Sequence, residues 1–367
     1  MFSLGAHHKT TVGLDIGTTS IKAVELRRSG SGWSLHRIGA KPLPPKAMAG
    51  GKIKDKATVT QAIRDLWSEA RFSSKRAAIS VGGSAVIIKK IQLPTMSELD
   101  LEDQISTEAE EHIPFDIEEV YLDFQILSHG AENMDVLLSA CKKEVVDNRL
   151  EAPREAGLDP VLCDLDIFCM ANAVETFCLA GKKTQPIKKP AKGEKPEPAP
   201  ATMLVNVGHT HLNLAAVVNG WPDFTRDHTF GGDKMIQEII QGHDVSPEEA
   251  EQMLIRGHDA RDRPWPTASR EVVVHAFLEQ LGNLVRQSVD FFNAGHPAQK
   301  VGDLYLSGGC ALLPEATAFL NRMLNLPVLT ANPFSRMGGH AGLKALGPER
   351  APEFLVAAGL ALRGDAP

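Results

Sequence analysis

A chain of 367 residues, 43% of them hydrophobic, is long enough for two or more domains with their own cores. Its formal net charge of −7 supplies no basic field for bulk nucleic-acid binding. The five cysteines (Cys141, Cys163, Cys169, Cys178 and Cys310) form no CxxC pair and no His-rich metal spacing, so reduced thiols of a cytoplasmic protein are expected.

The stretch from Met1 to Lys9 has no signal-peptide apolar core, and His7 and His8 are expected in a tail rather than on a metal. No apolar run reaches the ~18 residues that a membrane span needs. Residues 10 to about 76 predict a hairpin over Val12 to Leu26, a third strand near Trp33–Ile38, and a helix over 57–71. That helix carries Ala62, Ile63, Leu66, Trp67 and Ala70 on one face. Strands follow at Ala77–Val81 and at Val86–Pro94. Ser97 with Asp100 is an N-cap signal for a helix running to His112, stopped by Pro114. Glu119–Leu127 alternates as a half-buried strand, with Met134–Cys141 as its buried neighbour. A helix over 143–156 and a strand at Pro160–Leu165 close this block.

Residues 181–201 form a Lys/Pro linker with almost nothing to bury. Its lysines suit a solvated loop, with anionic lipid or an acidic partner as the sharper alternative. Beyond it come a second hairpin over Met203–Val217, a glycine turn opening a helix at Gly231–Gly232, and a helix over 271–293. A strand at Asp303–Ser307 follows, then a helix after Leu313, a strand at Pro327–Leu329, and a small-residue apolar helix over Phe354–Leu362 that should pack in the core.

The two hairpins share one design. Asp15, Ile16, Gly17, Thr18, Thr19 and Ser20 make the first turn; Asn206, Val207, Gly208, His209 and Thr210 make the second. Glycine lets backbone N–H groups approach an anion, and the hydroxyls add donors. Asp15, at the end of its strand, suits a hydrated Mg²⁺. A tight hairpin with no ligand is the bland alternative. Ser307, Gly308 and Gly309 end a strand where a flat base can lie against the backbone. Hairpin, hairpin and strand-Gly-Gly-helix, in that order, predict duplicated lobes clamping a nucleoside triphosphate. They resemble the actin-like ATPase superfamily of sugar kinases, actin and the large heat-shock chaperones. The fold that this implies is α/β, with two duplicated lobes.

A narrower resemblance rests on Glu108–Leu127, with Ile113–Pro114–Phe115 among acids, on Phe224–Thr225–Arg226 with Phe230–Lys234, on Arg286–Phe292, and on Asn332–Pro333–Phe334. These segments resemble PilM, the actin-like cytoplasmic family of type IV pilus assembly, which is related to the division protein FtsA. The resemblance runs from about residue 10 to 362. It implies a first-lobe core at 10–76 completed by about 166–180, a small FtsA-like inserted domain at 77–165, and a second lobe at 202–362.

It also implies roles. Asp15 would hold Mg²⁺ through water, with Asn206 as a weaker second contact. Gly17, Thr18 and Thr19 would meet the β- and γ-phosphates of ATP. Lys22 would add charge there, or simply be solvated. Gly208, His209 and Thr210 would close from the second lobe. Gly232, Asp233, Lys234 and Glu238 would contact ribose and adenine. Arg286 would stack near the base, or instead pair with an acid. Ser307, Gly308 and Gly309 would flank the adenosine. Related second motifs begin with Asp, whereas this one has Asn206, and no group stands out to orient an attacking water; no hydrolysis or slow hydrolysis is expected.

The implied function is an ATP-binding cytoplasmic scaffold at the inner face of the inner membrane. It would dock the cytoplasmic tail of a PilN-like bitopic membrane protein and meet the pilus assembly motor ATPase and platform proteins. Val86, Ile88, Lys89, Lys90, Ile113 and Phe115 are the expected partner contacts; the alternative is that these strands only pair within their domain. The competing functions are an ATP-dependent small-molecule kinase of the same fold and an FtsA-like division filament. The block at 77–165 counts against the kinase. The ending Leu362–Pro367, without a basic amphipathic helix, counts against the filament.

Overall fold

The computed structural model describes residues 10–30, 32–179, 198–256, 266–337 and 340–364. His7, His8 and most of the expected linker at 181–201 lie outside the described residues; Ala201 already begins a strand. The chain forms two compact units. One takes the chain up to Ala173, together with Arg336–Leu346 and the stretch from Val356; the other takes Val174–Ser335 and Gly347–Leu355.

In the first unit, β1 (Val12–Ile16), β2 (Ser20–Ser29) and β3 (Gly32–Pro42) form an antiparallel meander. The short β4 (Met48–Ala49) and β5 (Lys52–Ile53) lead into α1 (Lys56–Ala70). Asp55 caps α1 by accepting from Thr58 N at 3.0 Å, and Val59, Ile63 and Leu66 pack onto the sheet. β6 (Arg76–Val81) then runs parallel to β1, and its Ala77, Ala78 and Ile79 are all buried, as a strand covered on both faces requires.

A separate module follows: β7 (Val86–Pro94), α2 (Glu98–Glu110), β8 (Val120–His129) and β9 (Asn133–Lys142). Its sheet order is β7-β9-β8. Leu101, Ile105 and Ala109 of α2 bury against Ile91, Met134, Val136 and Leu138. Next, α3 (Lys143–Glu155) returns to α1 and β6, β10 (Asp159–Leu165) adds parallel to β6, and α4 (Asp166–Ala173) follows.

The second unit repeats the plan. β11 (Ala201–Val207), β12 (Leu212–Val218) and β13 (Trp221–His228) form a meander. After α5 (Asp233–His243), α6 (Pro247–Arg256) and α7 (Thr267–Gly295), β14 (Val301–Ser307) lies parallel to β11; β15 (Val328–Thr330) lies beyond it, after α8 (Ala316–Leu324). The first sheet has order β10-β6-β1-β2-β3 and the second β15-β14-β11-β12-β13. Position by position, the two sheets are wound alike. α9 (Ala341–Leu346) and nearly all of α10 (Leu355–Arg363) return to the first unit.

Two boundaries differ from the sequence reading. The block 77–165 is not one domain: β6 and β10 are strands of the first unit's main sheet, and the module proper spans β7 to β9. The apolar helix at 354–362, expected at the end of the second lobe, belongs to the first unit from Val356 onward. In both cases the strand or helix type was legible, but its partner lay far along the chain.

Candidate functional site

The first glycine turn joins β1 to β2. Gly17 N donates to Ser20 O at 3.0 Å, and Thr19 O accepts from Leu43 N at 2.8 Å. Asp15 and Lys22 face each other across the ladder, and the Lys22 ammonium lies 3.6 Å from where a Cβ on Gly17 would stand. The lysine thus covers the turn. Burial, the largest influence, raises the Asp15 carboxyl above its ordinary pKa; Lys22 and Arg149 draw it down and Asp166 pushes it up.

Arg149 and Asp166 escaped the sequence reading. Arg149 projects from α3 and donates through Nη1 to Ile16 O, while its Nε is buried with no partner. Asp166 opens α4, and a side chain at Gly82 would run into its carboxylate. The one local signal was a Gly82–Gly83 pair after β6 and an acid at the strand-to-helix junction after β10.

In the second unit three predicted motifs meet. Gly208 N donates to His211 O at 2.9 Å, closing the β11–β12 turn. Gly208 O accepts from Gly232 N at 3.0 Å and from the Cys310 thiol at 3.6 Å, and His209 O accepts from Asp233 N at 2.8 Å. Thr210 Oγ1 lies 2.8 Å from His211 Nδ1. Gly308 has φ 85°, and a Cβ there would press on Val207 O and stand 2.8 Å from Asn206 Oδ1, so the strand-to-turn corner admits only glycine. Asp233 Oδ1 is buried without a partner. Burial pushes the Cys310 thiol up to about 12, which makes it an inert filler under the turn.

The other expected residues of this unit lie on α5, α7 and β11. Lys234 and Glu238 are exposed on α5. Arg286 donates through Nη2 to Met323 O at 2.6 Å, a carbonyl of the last turn of α8. Asn206 is committed within the sheet: its Oδ1 accepts from Ser307 Oγ at 3.2 Å and its Nδ2 donates to Asn213 Oδ1 at 3.4 Å.

The expected partner contacts divide as well. Ile113 is 5% exposed and closes α2 onto the module sheet, so it is core rather than contact surface. Val86 and Ile88 pack on the opposite face, against Val145, Val146 and Leu165. Phe115 is half-buried with Lys142 Nζ 4.2 Å from its ring centroid. Lys89 and Lys90 are exposed, and Lys90 pairs with Asp135 at 3.4 Å. Alternation marked two faces: on β7 each packs in part, whereas Tyr121, Asp123 and Gln125 of β8 stay exposed. Among the described residues no helix is long and apolar enough to cross a membrane.

A family model described as Type IV pilus assembly protein PilM matches residues 13–365. A solved PilM-PilN type IV pilus biogenesis complex is 28% identical, with a TM-score of 0.80, covering 98% of this chain and 99% of that one. The ethanolamine utilization protein EutJ from Carboxydothermus hydrogenoformans is 15% identical with a TM-score of 0.56, covering 96% of this chain and 89% of that one. MreB5 of Spiroplasma citri, solved with AMPPNP, is 12% identical with a TM-score of 0.52, covering 97% and 96%. The latter two share the actin-like fold with this chain.

Proposed function

The chain belongs to the family of the type IV pilus assembly protein PilM, and we propose that within that machinery it is an ATP-binding actin-like scaffold that docks the tail of a PilN-like membrane partner. One observation carries the nucleotide reading. Two sheets wound in the same order each place a glycine turn between the first two strands of the meander. Each turn is read by itself as phosphate-facing: Thr18 and Thr19 line the one in the first unit, His209 and Thr210 the one in the second, while the N–H groups of Gly17 and Gly208 close their own turns. The Ser307–Gly308–Gly309 corner would take the adenine, and Asp233, whose Oδ1 has no partner, the ribose. Arg286 keeps its expected place near the base, since its bond to Met323 O uses one of the five guanidinium donors.

Mg²⁺ keeps most of its waters and takes one or two carboxylates with the phosphate oxygens, so Asp15 suffices for a metal that arrives with the nucleotide. Asn206 contributes at most through the second lone pair of its carbonyl, without charge. Hydrolysis is therefore slow: turnover of the purified protein is expected below roughly 1 s⁻¹, the low end of ordinary enzymes. Asn206→Asp is expected to tighten Mg²⁺ binding. A faster wild-type rate in a phosphate-release assay overturns this point.

The tail of the partner docks on the module. β7 and β8 are both edge strands of its sheet, so an extended peptide can add main-chain hydrogen bonds there. That partner would hold the protein at the inner face of the inner membrane, within reach of the motor ATPase and platform proteins. Lys89→Glu with Lys90→Glu, on exposed positions of β7, is expected to weaken a fluorescent tail peptide about tenfold, mostly through the association rate. ATP binding should be unaffected. Equal peptide affinity in the folded double variant would place the dock elsewhere.

A further inference from the structure

Four polar side chains stand in one row across the second unit's sheet. Asp227 on β13 is the register partner of Asn213 on β12, Asn213 that of Asn206 on β11, and Asn206 that of Ser307 on β14. They are joined end to end. Asn213 Nδ2 donates to Asp227 Oδ1, Asn206 Nδ2 donates to Asn213 Oδ1 at 3.4 Å, and Ser307 Oγ donates to Asn206 Oδ1 at 3.2 Å. Asn213 and Ser307 are buried, while Asp227 lies exposed on the edge strand.

The row has a direction. A carboxylate only accepts, so Asp227 turns the NH₂ of Asn213 toward itself. The carbonyl of Asn213 then faces β11 and turns the NH₂ of Asn206 toward it. That leaves the Asn206 carbonyl facing Ser307 and the Gly308 corner, 2.8 Å from where a Cβ on Gly308 would stand. An amide has nearly the same shape either way round. Without a fixed acceptor at the end, both amides can turn over, and the Ser307 hydroxyl then meets an NH₂ instead of a carbonyl and turns its proton to Val205 O, 3.3 Å away. Buried polar rows cost stability unless every member is satisfied, so the polarity of this one has consequences at its far end.

We infer that Asp227 is a positioning residue which, through Asn213 and Asn206, sets the Ser307–Gly308–Gly309 corner for the base and sugar of a purine nucleotide. The inference rests on the nucleotide reading above for its ligand, but not for its geometry.

The test uses the full chain and two variants, Asp227→Asn and the exchange Asn213→Asp with Asp227→Asn. In the exchange the carboxylate moves one strand inward, accepts from Asn206, and restores the amide direction. Without nucleotide, Asp227→Asn is expected to speed hydrogen exchange of the Gly308 amide, which donates to Pro352 O at 3.2 Å, by about tenfold. Amides of the β11–β12 ladder should keep their rates. Affinity for a fluorescent ATP analogue is expected to fall by a similar factor, and the exchange variant should recover both. Wild-type exchange at Gly308 in Asp227→Asn overturns the inference. So does an exchange variant as impaired as the single one, because the loss would then come from the charge of Asp227 and not from the amide row. Absence of nucleotide binding by the wild type, with Gly308 still loosened in Asp227→Asn, would leave the positioning intact and overturn the nucleotide reading instead.

Discussion

Asp15→Asn is expected to remove Mg²⁺-dependent ATP binding while raising the melting temperature of the nucleotide-free chain. The two effects share one cause. Asp15 is raised above its ordinary pKa chiefly by burial, so the folded state holds its proton more tightly than the unfolded chain does. The sign follows from linkage. Below the unfolded pKa the carboxyl is neutral in both states and costs nothing. As pH rises past the unfolded pKa the unfolded chain ionises first, so the cost grows until the folded pKa is passed and is fully present above it. Lys22 and Arg149 offset it in part, and Asp166 adds to it. The isosteric amide removes the charge and so the cost. A relief of about 1 kcal/mol would appear as roughly 2–4 °C in a unit of this size. The same carboxylate is the group that meets the metal, so saturating Mg-ATP should raise the wild-type melting temperature and leave the variant where it was. Calorimetry with Mg²⁺ and with chelator separates the terms. Unchanged Mg-ATP affinity removes Asp15 from the metal site, and a lowered melting temperature contradicts the burial argument.

Gly359→Val is expected to destabilise the first unit by about 3 kcal/mol or more, among the largest effects of any single substitution here. Gly359 lies on α10 where its backbone meets α4: a Cβ there would overlap the carbonyl of Cys169. Gly13 on β1 makes the reciprocal approach, since a Cβ there would overlap the carbonyl of Ala357. Two backbones therefore touch α10 directly, and Val356, Ala357, Ala358, Leu360 and Ala361 are all buried around it. A valine has no room to rotate away, because what it meets is backbone and not a flexible side-chain end. The helix must lift from β1, the strand that carries Asp15 and leads into the first glycine turn. Nucleotide affinity should fall along with stability. Gly242→Ala provides the control: it sits in α5 with open space around the added methyl, and replacing a helical glycine there should be neutral or stabilising by about 0.5–1 kcal/mol. Denaturant melts of the two variants measure the contrast; similar midpoints for both would show that α10 does not pack as described.

Local chemistry carried most of the chain's legible content. The alternation of Val12–Leu26 and Met203–Val217, the turn chemistry of Gly17 and Gly208, the Ser97 cap and the apolar stripe of α1 are each decided within a few residues, and all were readable. So was membership of the PilM family, because Ile113–Pro114–Phe115 and Phe230–Lys234 are contiguous strings. Tertiary structure decided everything that depends on a distant partner. A β-strand sequence states that it will pair but not with what, so β6 and β10 could not be told from the module strands on either side of them. A buried helix states only that it will be covered, so α10 could not declare that it covers the first unit. Arg149 and Asp166 reach the first turn from α3 and α4, and Asp227 reaches the corner at Gly308 through two other strands. Ile113 and Val86 are spent on packing, because an apolar residue in an alternating strand or beside it has two faces to serve and only the assembled layers say which is free. The sequence by itself determined the elements, their turns and the family; which side chains converge on each turn was set by sheet order and helix return, since those follow from pairing energies summed over residues far apart in the chain.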